Sequence, residues 1–85
     1  MLSCSPSPFR DEVRIQSRLP DTGPLHLAVY DLSGRRVRSL RLEEGATSVV
    51  WDGHDRTGRP APPGVYFLRA MRGGDVETGR VEKVR

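Results

Sequence analysis

A single cysteine, Cys4, rules out any disulfide within the chain, so packing alone must hold the fold together. Lysine is nearly missing too: Lys83 is the only one among 14 basic residues, and the rest are arginines scattered from Arg10 to Arg85. The formal charge of +3 therefore forms no basic block. Along the sequence no aromatic residues interleave with the arginines as a base-stacking platform requires, and no nucleic-acid partner is expected. Apolar runs are short. Val65 to Leu68 is typical and falls far below the ~20 residues a membrane helix needs, so no membrane insertion is expected. No segment carries a 3.6-residue hydrophobic period, and no internal repeat is visible.

The 85 residues allow one small domain, with little room for an enclosed catalytic cleft. At 35% hydrophobic and 29% charged, the composition is lean but that of a folded chain. Ser3 to Pro8 alternates serine and proline without periodicity and reads as a lead-in, so residues 1–10 are assigned to a linker and 11–85 to the domain. A linker at the start suggests part of a longer, multidomain protein.

From Val13 the residues alternate. Val13, Ile15 and Leu19 alternate with Arg14, Gln16 and Arg18, and Leu25, Leu27 and Val29 share a face, so each set defines a strand with one wet side. Between them Pro20-Asp21-Thr22-Gly23-Pro24 supplies turn chemistry. Arg36 to Leu42 forms a third strand. Strict alternation sets its Val37 and Leu40 on opposite faces, which calls for a β-bulge or a sheet crossing between them. Thr47 to Trp51 is a fourth. Val65 to Met71 is large on both faces, as a central strand is; Arg72-Gly73-Gly74-Asp75 then turns into a last strand from Val76 to Arg85. Six or seven short antiparallel strands separated by glycine and proline turns predict an all-β, immunoglobulin-like sandwich.

Chemistry-bearing side chains gather in one loop, Trp51-Asp52-Gly53-His54-Asp55-Arg56-Thr57-Gly58. The carboxylates suit calcium and the imidazole suits zinc, but the spacing matches neither an EF-hand nor a zinc site. The reading adopted is structural: Asp52 and Asp55 close Asx-type turns, Gly53 and Gly58 take left-handed backbone, and Trp51 plugs the core. Tyr30 and Tyr66 are read as packed rings. No metal, cofactor or catalytic residue is assigned, since no nucleophile and base form a set, and the chain is not expected to be an enzyme.

Four segments carry a resemblance. They are Pro6-Ser7-Pro8-Phe9, Val29 to Val37, Val50 to Gly58, and Pro63-Gly64-Val65-Tyr66-Phe67. In this order they resemble the FlgD-type immunoglobulin-like domain and its relative, the type A C-terminal sorting domain of the type IX secretion system. Ser7 stands where the lead-in usually has asparagine, and Glu82 falls in a closing strand that is often more apolar. The resemblance makes Trp51, Asp52, Gly53, Asp55, Gly58, Gly64 and Tyr66 fold-defining. It implies a sorting or docking module that carries a passenger through the periplasm to the cell surface, with protein partners in the secretion machinery. The alternative it implies is a structural module of a flagellar hook-capping or extracellular scaffold. Partner recognition is expected at Arg72, Gly73, Gly74 and Asp75 and at Val81, Lys83, Val84 and Arg85, with edge-strand addition as one route.

Overall fold

The computed structural model describes residues 1–19 and 23–85. Seven strands make up the described chain: β1 (Ser3–Ser5), β2 (Val13–Gln16), β3 (Leu25–Tyr30), β4 (Arg36–Leu42), β5 (Ser48–Trp51), β6 (Gly64–Arg72) and β7 (Asp75–Lys83). They form two antiparallel sheets, β1-β2-β5 and β4-β3-β6-β7, so the all-β sandwich stands as expected. Of the turn assigned to Pro20 through Pro24, residues 20–22 lie outside the described residues.

Alternation sets the inner faces. Val13, Ile15 and Trp51 from the smaller sheet meet Leu25, Leu27, Val29, Leu42, Tyr66, Leu68, Ala70 and Val81 from the larger, all buried. Burying each such valine or leucine stabilises the fold by about 1.5–3 kcal/mol. β6 lies between β3 and β7, the central place its two-sided apolarity implied. Its turn into β7 uses only Gly73 and Gly74, because Arg72 pairs directly with Asp75.

The break in β4 falls at Val37. Arg38 pairs with Val29, yet the next pair is Arg36 with Tyr30, leaving Val37 as the extra residue of a bulge. The added residue resets the phase, so Val37 and Leu40 both pack against the core.

The lead-in is the main departure from the sequence reading. Residues 1–10 were assigned to a linker, but Ser3–Ser5 pairs with β2 and aligns Cys4 with Ile15. Leu2 and Phe9 are both buried. The amides of Leu2 and Phe9 donate to the carbonyls of Thr78 and Glu82 at 2.9 Å each, and Val84 donates to Phe9 at 2.8 Å. The segment thus lies along the outer edge of β7. Two apolar side chains entering the core outweigh the loose composition around them. Leu2 seats where the partner strand has no side chain: a Cβ on Gly79 would come within 2.9 Å of the Leu2 Cβ.

Candidate functional site

The Trp51 corner is an aromatic junction. Trp51 is fully buried, with the Phe9 ring 5.6 Å away and the Tyr66 ring edge-on at 5.3 Å. Its indole N–H donates to the carbonyl of His54 at 2.9 Å, and the Tyr66 hydroxyl donates to the carbonyl of Pro62. Both polar handles are therefore satisfied inside the fold. Gly53 is required here on two grounds. Its φ is 74°, and a Cβ would meet the Lys83 side chain at 2.9 Å and the Phe9 ring at 3.4 Å.

Asp52 laces the two sheets together. Its Oδ1 accepts the His54 amide at 3.0 Å and the guanidinium of Arg38 at 3.1 Å; Arg38 also reaches the His54 carbonyl at 3.0 Å. Burial works against the charged carboxylate, but the His54 amide and the charge of Arg38 prevail and hold Asp52 below the ordinary aspartate range. The imidazole Nδ1 of His54 lies 2.9 Å from the Asp52 carbonyl oxygen.

Asp55 closes its own turn. Its Oδ1 accepts from the Thr57 hydroxyl at 2.6 Å, the Thr57 amide at 2.8 Å and the Arg59 amide at 3.1 Å. A second loop repeats this geometry. The Asp31 Oδ1 accepts from the Ser33 hydroxyl at 2.6 Å and from the amides of Ser33 and Arg35 at 3.0 Å each. Backbone bonds match as well: Gly34 donates to Asp31 and Gly58 to Asp55, both at 3.0 Å, with φ of 85° and 88° at the two glycines. Asp31-Leu32-Ser33-Gly34-Arg35 and Asp55-Arg56-Thr57-Gly58-Arg59 are one device used twice. The sequence spells it twice, as Asp-x-Ser/Thr-Gly-Arg, a signal too short to stand out as a repeat. In each loop the side-chain hydroxyl, first, and the amides lower the aspartate's pKa.

The two loops stand at one end of the sandwich and wall an open groove of about 640 Å³, joined where the Arg56 amide donates to the Val37 carbonyl at 3.0 Å. Their carboxylates point into their own turns. Among the described residues, no three of His, Cys, Asp or Glu gather where a metal could be held.

The expected recognition residues separate into two groups. Gly73, Gly74, Asp75 and Arg85 are exposed and Val84 is half-buried. Arg72 and Val81, however, are each only 1% exposed, which removes them from the surface. Arg72 follows Tyr66, Leu68 and Ala70 on the inner face of β6, and its Nη2 donates to the Ala46 carbonyl at 2.6 Å. Val81 faces inward opposite Tyr66. Lys83 is half-buried, and its ammonium donates to the Ala61 carbonyl at 2.6 Å. The route of adding a strand along β7 meets an edge already lined by Leu2 and Phe9.

Sequence reasoning missed Glu77, which is buried on β7. Its Oε1 accepts from the Ser17 hydroxyl at 3.0 Å and the Arg18 amide at 2.9 Å, and the Met1 amino group lies 3.2 Å from Oε2. Burial opposes ionisation, yet these donors hold its pKa below the ordinary value. The signal was its place in the inward phase of β7, alternating with Gly79 and Val81.

Two facing antiparallel sheets around one tryptophan-centred core define an immunoglobulin-like β-sandwich. The chain belongs to the FlgD Ig-like domain family, whose model matches residues 10–75. Among solved structures it is similar to PorZ, described as an essential bacterial surface component of the type IX secretion system of Porphyromonas gingivalis. The TM-score is 0.76 at 23% identity, over 99% of this chain and 11% of PorZ. It is also similar to dimeric latent PorU from the same organism, with a TM-score of 0.76 at 20% identity, over 98% of this chain and 9% of PorU. The chain thus corresponds to a small part of either protein. No curated protein sequence matches it.

Proposed function

We propose that this domain is a non-catalytic sorting or docking module that directs a passenger protein through type IX secretion to the cell surface. The observation that carries the reading is the match of nearly the whole chain, 99%, to a part of PorZ, a surface component of that system. A domain this small, with Asp31, Asp52, Asp55 and Tyr66 spent on its own turns, has little left for chemistry and much for presentation. The exposed hairpin tip, Gly73-Gly74-Asp75, and the tail, Val84-Arg85, are the contacts proposed for the machinery. Lys83 supports the tail from beneath.

The second reading is a structural module of a flagellar or extracellular scaffold, favoured by the family match itself. A fusion experiment separates the two. Residues 1–85 placed behind a periplasmic reporter, in a host with type IX secretion, should bring the reporter to the surface. Removing Val84 and Arg85 should retain it in the periplasm with the domain still protease-resistant. A reporter that stays periplasmic while the intact domain is folded overturns the sorting reading and leaves the scaffold role.

A further inference from the structure

The outer face of the four-stranded sheet collects residues that are far apart in sequence. The strand registers set Arg36, Tyr30, Phe67 and Arg80 in one row. The next row is Ser39, Ala28, Arg69 and Thr78, and the third is Arg41, His26, Met71 and Val76. Tyr30, Arg36 and Arg80, which are far from Phe67 along the chain, are thus its neighbours across the sheet. Phe67 is 42% exposed, Met71 41% and Val76 48%, an unusual density of large apolar groups for a wet face. Over Ala28 the face dips into a hollow of about 250 Å³, walled by Tyr30, Arg36, Arg41, Arg69 and Met71.

The charge on this face is predominantly positive. Arg36, Arg41, Arg69 and Arg80 are all exposed, and the acid sharing the face, Glu82, lies at its end opposite Val65. Among the described residues none of the four arginines takes part in an ion pair. We infer that the outer face of β4-β3-β6-β7 is a docking surface for a carboxylate-rich protein surface, with Arg36, Arg41, Arg69 and Arg80 pairing with its acids around an apolar centre at Tyr30, Phe67 and Met71.

Three arguments select that partner. Tyrosine, phenylalanine, methionine and arginine are the side chains enriched at protein interfaces, while lysine is depleted there, and lysine is absent from these rows. The guanidinium fork matches a carboxylate in a bidentate way, so four unpaired forks on one flat face are complementary to clustered Asp and Glu. A second copy of the same face is a poor occupant, because the contact would bring two arginine-rich surfaces together.

The inference is independent of the export reading and is tested on the purified chain. The probes are poly-L-glutamate and single-stranded oligo-dT, compared at about 0.15 M salt, where exposed charges beyond ~8 Å are screened. Poly-L-glutamate should bind, and amide shifts should fall on β3, β4 and β6. Arg69→Glu should weaken binding at least about tenfold, as should the pair Arg36→Glu and Arg41→Glu, whereas Arg14→Glu on the opposite sheet should leave it within about twofold. Circular dichroism of each variant establishes that it is folded. Phe67→Ser, which keeps every charge, should also weaken binding, and an unchanged affinity overturns the apolar centre. The inference is overturned if Arg14→Glu weakens binding as much as Arg69→Glu, if the shifts fall elsewhere, if poly-L-glutamate does not bind, or if oligo-dT binds more tightly. The last result makes the face a nucleic-acid platform instead.

Discussion

At the β7 margin of the larger sheet, the amides of Leu2 and Phe9 cover the edge, whereas at the opposite margin β4 has no strand beside it among the described residues and is interrupted by the bulge at Val37. Both arrangements blunt an edge that would otherwise template pairing with another chain. One uses a length of backbone and two buried side chains. The other uses a bulge, flanking arginines and the single amide that Arg56 donates to Val37. Both edges contribute apolar side chains to the core, but the covered edge adds the fully buried Phe9, whereas Val37 at the bulge is only half-buried and is fastened there by a polar bond. Damage at the two margins should differ in size accordingly.

The largest effect is expected at Phe9. Phe9→Ala empties the seat beside Trp51 and should cost about 3–5 kcal/mol in urea unfolding. Leu32→Ala, at a side chain 71% exposed, should change stability by less than about 0.5 kcal/mol. Equal costs would mean that the amino-terminal segment does not hold the margin. Gly79→Ala comes next. Its backbone tolerates a side chain, so the penalty of about 1–3 kcal/mol arises from the collision with Leu2, and the Leu2 amide should exchange faster. In a Leu2→Gly background the same substitution should cost much less.

At the β4 margin, Arg38→Ala removes two bonds to the Asp52 corner while the His54 carbonyl keeps its bond from Trp51. A loss of about 1–2 kcal/mol is expected, smaller than at Phe9. A cost above that of Phe9→Ala would reverse the contrast between the margins.

Acid should affect both sides by a smaller, graded amount. Asp31, Asp52, Asp55 and Glu77 are all lowered in the folded chain. Each then ionises at lower pH folded than unfolded, so its contribution is complete above the unfolded carboxyl range, about pH 4, and fades as pH falls through the folded value. Glu77→Gln keeps an acceptor for Ser17 and Arg18 but has no charge. Its melting temperature should lie below that of the parent chain at pH 7, with the gap closing toward pH 2. A gap that persists there would assign the effect to packing.

Much of the sandwich was legible because alternation leaves its mark on Val13 and Ile15, on the β3 face and on Trp51, and because Gly73-Gly74 announces its turn. Even the break in β4 could be located, since Val37 and Leu40 cannot share a face without one. The amino-terminal segment was not legible. Leu2 and Phe9 are isolated apolar residues in a serine and proline background, and only the cavity beside Gly79 and Trp51 gives them a place. Arg72 and Glu77 were misjudged or missed because charge signals an outside position. Strand phase sends both inward, where Ala46 in one case and Ser17 with Arg18 in the other supply the bonds. Of the expected recognition set, the hairpin tip and tail are on the surface. Phe67, Arg69 and Met71 share a face by alternation along β6, but the rows that join them to Tyr30, Arg36, Arg41 and Arg80 could not be seen, because register across strands is what assembles them.

The paired aspartate loops also offer a practical foothold. Each is fastened by its first, third, fourth and fifth residues, so the second side chain, Leu32 in one of them, takes no part in the fastening. Leu32→Cys would therefore place a thiol in open solvent without loosening the turn, while the native Cys4 thiol is half-buried and pushed up by that burial. A maleimide dye added at neutral pH should then attach at position 32 first, giving a reporter for whatever approaches that end of the domain.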